Sequence, residues 1–429
     1  MTHFGIICPA AIGHLNPMCA LGSELQRRGH QVTLFGIVDI QSKVEATELD
    51  FYLIGEEQFP LGSLTQYYNK LGKMSGKEGL GYTIQFLVRE AQMLFKSLPN
   101  AIATTGIEVL IIDQISRAGS TVADKFKLPY VTVCNALLVN REAGVPPYFT
   151  SWSYSTAWWN NRRNQLGNYL LGRIAKPITQ TIDQQRQEWQ LIPYKNYEDA
   201  YSPLAQICQL PREFDFPREN LPAHFHYVGL LQNPSGVESI GVKDLEFPWS
   251  RLNDKPLVYA SLGTLQNKVP KVFQSIAQAT RNLDVQLVIS LGNINSDPTD
   301  YDLPSSAIVV PFAPHQQLIN KAQVVVTHAG MNTTLCALSS GVPLVAIPIT
   351  NEQPGIAARI KRTGAGQVLQ LKSLTVEKLE HAITEVLTQD SYRRNTIRMQ
   401  QAILKAGGLT KAVNIIEQVA RTQEPVIAD

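Results

Sequence analysis

Apolar residues in the first part of the chain fall into short unbroken runs separated by stretches with helical spacing. Phe4–Cys8 is one such run. After it, Leu15, Met18, Cys19, Gly22 and Leu25 mark one face of a helix that stops near Arg27-Arg28-Gly29. Gln31–Phe35 follows as a strand, then Glu108–Ile112 as a strand ending at Asp113, a helix through Gly119–Phe126, and the strand Tyr130–Cys134. Strand–helix–strand units of this length predict a parallel sheet. The rhythm breaks between about 140 and 200, where Pro146-Pro147, Trp152, Trp158, Trp159, Arg162, Arg163, Arg173 and Lys176 occur. A polar stretch with Asn233-Pro234-Ser235-Gly236 and Phe247-Pro248-Trp249 reads as a linker from His226 to about Pro256.

The alternation then restarts, with strands at Leu257–Ser261, Gln286–Ser290, Ala307–Pro311, Val324–Thr327 and Leu344–Ile347. Helices are expected at Val269–Leu283, Asn332–Ser340 and Gln353–Lys361, and helical patterns continue from Val376 to about Val419. The reading is an α/β protein with two Rossmann-like domains in tandem. Residues 1–230 form the first domain, 231–256 the linker, 257–406 the second domain and 407–429 a C-terminal helix.

Composition narrows the function. With 38 Lys+Arg against 36 Asp+Glu, a net charge of +2 argues against a nucleic-acid binder that relies on phosphate neutralisation. At 44% hydrophobic residues over 429 positions, a large core can be buried. The N-terminal residues show no basic-then-apolar leader pattern, and no run reaches the roughly 18 apolar residues of a spanning helix. A cytoplasmic protein, at most peripheral to a membrane, is expected. The cysteines Cys8, Cys19, Cys134, Cys208 and Cys336 are scattered, with no CxxC pair, and read as buried reduced thiols.

Candidate chemistry gathers where strands hand over to helices, the edge at which parallel sheets bind ligands. Gly13-His14-Leu15-Asn16-Pro17 follows the first strand, and His14 there is either a base near neutral pH or a helix-start histidine bonded to backbone. Asp113 ends another strand of the same domain and either orients His14 or caps the next helix.

In the second half, Phe312-Ala313-Pro314-His315, His328-Ala329-Gly330-Met331-Asn332-Thr333 and Asn351-Glu352-Gln353-Pro354 stand at consecutive strand ends. The middle segment opens a helix, whose free N–H groups and dipole suit a diphosphate. Phe312 offers a flat face for a base, while Glu352 and Gln353 offer groups for sugar hydroxyls. Ser261-Leu262-Gly263-Thr264 is either a further phosphate contact or a tight turn. Asp300-Tyr301-Asp302 spells DxD without a supporting ligand set, so no metal site is expected.

These residues resemble the family 1 glycosyltransferases of the UDP-glycosyltransferase superfamily, over nearly the whole chain. Gly13-His14-Leu15-Asn16-Pro17 matches the GHxxP start, and 312–353 matches the donor-binding signature. With Asp113-Gln114, Pro129–Cys134 and Glu352-Gln353-Pro354-Gly355, the style is similar to bacterial zeaxanthin glucosyltransferases. The resemblance implies a GT-B fold, with the acceptor on the first domain, a UDP-sugar on the second, and the C-terminal helix packing back on the first domain. It implies direct, inverting, metal-independent transfer of a hexose, glucose from UDP-glucose above all, with no cofactor.

By the same resemblance, His14 deprotonates the acceptor and Asp113 stabilises the imidazolium. His328, Asn332, Thr333 and Thr264 hold the diphosphate, and Gly13, Ser261 and Gly330 are further donor-binding residues. Phe312 and Ala313 meet the uracil, and Glu352 and Gln353 the sugar. His315 stands where plant members carry glutamine. Cys336 stands where many members place a glutamate on the ribose, so ribose is held otherwise, UDP binds more weakly, or nucleotide preference is relaxed.

The expected acceptor is a lipophilic small molecule such as a hydroxylated carotenoid. Flavonoids, macrolides and other phenols or alcohols are the alternative, and a non-catalytic nucleotide-sugar-binding protein is the further one. The Trp152–Trp159 cluster lines an apolar acceptor slot, dips into a membrane with contact through 146–176, or packs as an ordinary lid.

Overall fold

A computed structural model describes residues 1–72, 74, 76–232, 247–263, 269–293 and 296–428. The first half runs β1 (His3–Ile7), α1 (Ile12–Arg27), β2 (Gln31–Gly36), α2 (Gln41–Glu45), β3 (Asp50–Leu53), α3 (Ser63–Leu71), α4 (Gly76–Thr105), β4 (Val109–Asp113), α5 (Ala118–Phe126) and β5 (Tyr130–Cys134). It continues with α6 (Trp158–Ile174), α7 (Lys176–Glu188), β6 (Gln206–Cys208) and β7 (Phe225–Tyr227). The second half holds β8 (Leu257–Ser261), α8 (Pro270–Ala279), β9 (Gln286–Ser290), β10 (Ile308–Val310), α9 (His315–Lys321), β11 (Val324–Thr327), α10 (Met331–Ser339), β12 (Leu344–Ala346), α11 (Gln353–Thr363) and β13 (Gly366–Val368). Three helices close the chain: α12 (Val376–Thr388), α13 (Asp390–Ala406) and α14 (Gly408–Thr422).

The strands form two sheets, in the order β3-β2-β1-β4-β5-β6-β7 and β10-β9-β8-β11-β12-β13. Every pairing is parallel. The central strands β1, β4, β5, β8, β9 and β11 are buried along their whole length, which is why they read as unbroken apolar runs. In each sheet the strand order reverses at one place, between β1 and β4 and between β8 and β11. A crevice opens at the carboxyl ends of the strands at such a reversal.

The structure corrects the reading between these strands. Residues 140–200 hold the two helices α6 and α7, and His226 lies in β7, so the linker does not begin there. β3, β6, β7 and β13 have three or four residues each, too few to show a period among their flanking loops. Residues 233–246 of the expected linker lie outside the described residues. α14 lies against α1, where Arg28 pairs with Glu417 at 2.7 Å. The tail beyond it donates from Val426 N to the Leu204 carbonyl, and the Val426 carbonyl is 2.9 Å from His226 Nε2.

One buried carboxylate joins the halves. Asp215, in the loop after β6, accepts from Arg218 Nε at 2.7 Å, from Tyr227 Oη at 2.8 Å, and from Arg359 Nη2 and Nε of α11 at 2.6 and 2.9 Å. Burial opposes its charge, and the Arg218 and Arg359 guanidiniums outweigh burial, holding the carboxyl below its ordinary range. Beside this cluster the backbones meet so closely that a Cβ on Gly355 would lie 2.0 Å from the Tyr148 carbonyl oxygen.

Asp215→Ala strands two buried guanidiniums, whereas Arg359→Met leaves Asp215 paired with Arg218. Breaking a buried pair costs about 3–5 kcal/mol. Thermal unfolding of both variants should show the larger fall in midpoint for Asp215→Ala. An equal or smaller fall would mean that Asp215 is not the centre of the cluster.

Candidate active site

His14 sits in the first turn of α1, just past the carboxyl end of β1, and Asp113 is the last residue of β4. The two strands are neighbours, which brings His14 Nδ1 to 2.7 Å from Asp113 Oδ2 across 99 residues of sequence. Asp113 is fully buried, and its other oxygen accepts from Ile115 N at 2.8 Å. With Nδ1–H donated to Asp113, the Nε2 lone pair of His14 is free to take a proton. Burial pulls the His14 pKa down, and the Asp113 charge and hydrogen bond, helped by Glu352 and Glu90, more than reverse that, leaving it at about 9.

The second sheet mirrors this arrangement at its own reversal. His328 follows β11, and Gly263 follows β8. The His328 ring lies between two glycines: a Cβ on either Gly263 or Gly330 would meet it at 2.6 Å. Ala329 takes φ 65°, so the chain turns sharply before α10 begins at Met331. Burial lowers His328 to about 4, against an opposing bond from the Ser261 backbone. Burial, with the charge of His328, lowers His315 to about 4 as well. Both are neutral at pH 7, and His328 gives the one N–H of its neutral ring to the Ser261 backbone, so this point offers an anion the first amides and dipole of α10.

A closed hydrogen-bonded circuit joins the two centres. Asn332 Nδ2, on α10, donates to the Gly13 carbonyl at 3.1 Å. Gln209 Nε2 donates to Asn332 Oδ1 at 3.2 Å and to the Asn135 carbonyl. Asn135 Nδ2 donates to Asp113 Oδ2 at 2.7 Å. The circuit thus runs from the residue beside His14, across the domain seam, and back to the carboxylate that holds His14.

The family model described as UDP-glucoronosyl and UDP-glucosyl transferase matches residues 7–423. The chain belongs to this family. Zeaxanthin glucosyltransferase of Pantoea ananas is 32% identical, covering 100% of this chain and 98% of the relative. The enzyme of the same name from Pseudescherichia vulneris is 31% identical, covering 99% and 100%. A crystal structure of a calicheamicin glycosyltransferase superposes with a TM-score of 0.74 at 22% identity, covering 98% of this chain and 99% of that one. The fold is therefore GT-B, and the protein is a glycosyltransferase that takes its sugar from a nucleotide-sugar.

The other anticipated positions of this glycosyltransferase fall as follows. Phe312 is half-buried just beyond β10, and Ala313 is buried beside it. His315 opens α9, with its Nδ1 2.9 Å from Tyr259 Oη. Ser261 ends β8, and Thr333 is half-buried in the first turn of α10. Thr264 lies outside the described residues. Glu352 precedes α11, close enough to His14 to act on its charge. Gln353 spends its Oε1 on Ile349 N and Thr350 N at 2.8 and 2.9 Å, so it shapes the loop before α11 and keeps only its amide N–H groups for a ligand. Cys336 is buried, and its thiol donates to Gln316 Oε1 at 3.1 Å and lies 3.5 Å from Gln232 Oε1. Asp300 and Asp302 belong to a short turn and its cap. Among the described residues no group of three His, Cys, Asp or Glu is placed to hold a metal ion.

Three further polar residues escaped the sequence reading. Asn135 and Gln209 each follow a strand directly, the same position that singled out Asp113. Gln209 is hidden because β6 has only three residues. Glu90, buried on α4, accepts from Ser116 Oγ at 3.2 Å. Burial and the Asp113 charge push it up to about 7, against the Ser116 bond and His14.

Protonated His14 cannot accept a proton, so kcat/KM should rise with pH along a limb near 9 in the free enzyme. Asp113→Asn removes the carboxylate charge that does most to raise that pKa, so the limb should move down by more than about one pH unit while the plateau falls. A limb that stays in place in Asp113→Asn would assign it to another group.

Proposed function

We propose that this glycosyltransferase moves glucose from UDP-glucose to a hydroxyl of a lipophilic small molecule, of which a hydroxylated carotenoid is the leading case. The observation that carries the reading is the His14–Asp113 pair at one sheet edge, tied through Gly13 and Asn332 to the diphosphate helix at the other. The choice of acceptor and sugar rests on the two zeaxanthin glucosyltransferases to which the chain is similar.

In this reading His14 Nε2 takes the proton of the acceptor hydroxyl as its oxygen attacks the anomeric carbon. The bond from that carbon to the diphosphate breaks, and UDP leaves with the electron pair. The His14 imidazolium is held by Asp113. The charge growing on the diphosphate meets the first amides of α10, beside the packed ring of His328, groups already in place before transfer begins. No metal is needed for this balance of charge. Phe312 stacks on the base, and Glu352 with the Gln353 amide binds the sugar hydroxyls. At the ribose, Gln316 and Gln232 beside the Cys336 thiol supply neutral partners in place of a carboxylate.

Incubation with UDP-glucose and a dihydroxylated carotenoid, followed by mass spectrometry, should give the monoglucoside and diglucoside together with UDP. The yield should be unchanged in EDTA. His14→Ala should lower turnover roughly 10²–10⁴-fold, the range for loss of a general base. Glucosides of phenols but not of the carotenoid would move the acceptor class. A requirement for Mn²⁺ or Mg²⁺ would overturn the proposed charge stabilisation. Release of UDP without a glycoside would overturn transfer itself.

A further inference from the structure

α6 carries an apolar stripe on its outward side. Trp158 is 72% exposed, Trp159 60%, Leu166 59%, Tyr169 58%, Leu170 51% and Ile174 44%. Its opposite side, with Asn164, Gly167 and Leu171, is buried. An exposed apolar helix face of this kind marks an interaction site.

The charge beside it is one-sided. From Ala143 to Ile182 the chain carries Arg162, Arg163, Arg173 and Lys176 and no carboxylate. Arg162, Arg173 and Lys176 are exposed, while Arg163 turns inward over Trp152 at 4.5 Å. At helical spacing Arg162 and Arg173 fall within the same arc as Trp158, Leu166 and Tyr169. Arginine stems lie along apolar surface with their heads at the water boundary, and Trp and Tyr favour that same boundary. No described helix is long and apolar enough to cross a membrane.

We propose that the outward face of α6 docks flat onto an anionic lipid bilayer. Aromatic and aliphatic side chains would enter the interface, and Arg162, Arg173 and Lys176 would pair with lipid phosphates. A protein partner is less favoured, because the stripe offers cations and apolar surface without a single acid.

The placement gives the surface a use. Gly167, on the inner side of α6, packs so tightly that a Cβ there would meet Pro147 at 2.8 Å and Trp152 at 3.1 Å. The residue after Pro147, Tyr148, lies against Gly355 in the first turn of α11, three residues beyond Glu352. The docked face therefore lies on the same packed segment that meets α11, which would bring a bilayer-dissolved acceptor to the side of the molecule that carries Glu352. This use rests on the lipophilic-acceptor reading; the docking surface does not.

The test is co-sedimentation of the full chain with vesicles of phosphatidylcholine alone and with about one third phosphatidylglycerol, at low and high salt. Binding should require the anionic lipid, weaken with salt, and shift tryptophan emission to the blue. Each surface cation contributes about fivefold, so Arg162→Gln with Arg173→Gln should weaken partitioning roughly 25-fold. Trp158→Ser with Trp159→Ser should abolish the blue shift, with the melting temperature of both double variants unchanged. Absence of binding at low salt, or binding by both double variants equal to that of the unmodified chain, would overturn the proposal. So would sedimentation of the free protein as a dimer that the tryptophan variant dissociates, because the stripe would then be an interface between copies. Vesicle binding by an enzyme that glucosylates only water-soluble phenols would leave the surface standing and remove the lipophilic acceptor.

Discussion

Asp215 holds the two sheet edges in the relation the chemistry needs. It is buried with two guanidiniums, a phenol and a backbone amide around it, and one of the guanidiniums belongs to α11 of the other domain. A charge placed there is stable only because these partners are paired with it. The same helix presents Glu352 and Gln353 at its other end, so the clamp that joins the domains also sets where these two proposed sugar ligands stand relative to His14. The Gly355 contact, with no room for a Cβ, sets the same distance by steric means.

The histidines of the two domains are tuned in opposite directions. His14 keeps a carboxylate at 2.7 Å and is raised to about 9. His328 has no carboxylate partner among the described residues, lies between two glycines and is lowered to about 4. One environment therefore stabilises a positive charge on its histidine, and the other excludes one. The circuit through Asn332, Gln209 and Asn135 ties these opposite environments together.

Much of this is legible in the sequence because the two sheets are parallel and buried. The strands that carry the centres, β1, β4, β8 and β11, stand out as apolar runs, and His14, Asp113 and His328 stand at or just past their ends. The parts that are not legible have physical reasons. β6 and β7 are three-residue strands beside polar loops, so nothing local marks Gln209 as a strand-end residue, and His226 reads as linker. α6 is obscured because its outward face is apolar while part of its buried side is Asn and Gly, the reverse of the pattern that marks a helix on a core. The contact of Asn332 with Gly13 spans 319 residues and has no local signature. The Cys336 environment is invisible along the chain because Gln232 and Gln316 come from two other segments.

The central claim is that a base at one sheet edge drives a single displacement of a diphosphate held at the other. The configuration of the new glycosidic bond tests it most directly. From α-configured UDP-glucose, attack by the hydroxyl that His14 deprotonates, on the face opposite the departing UDP, gives a β-glucoside, read from the anomeric proton coupling in the product's NMR spectrum. An α-glucoside would contradict the account, because it requires either two successive displacements or departure and attack on the same face, and the His14–Asp113 pair facing α10 provides for neither.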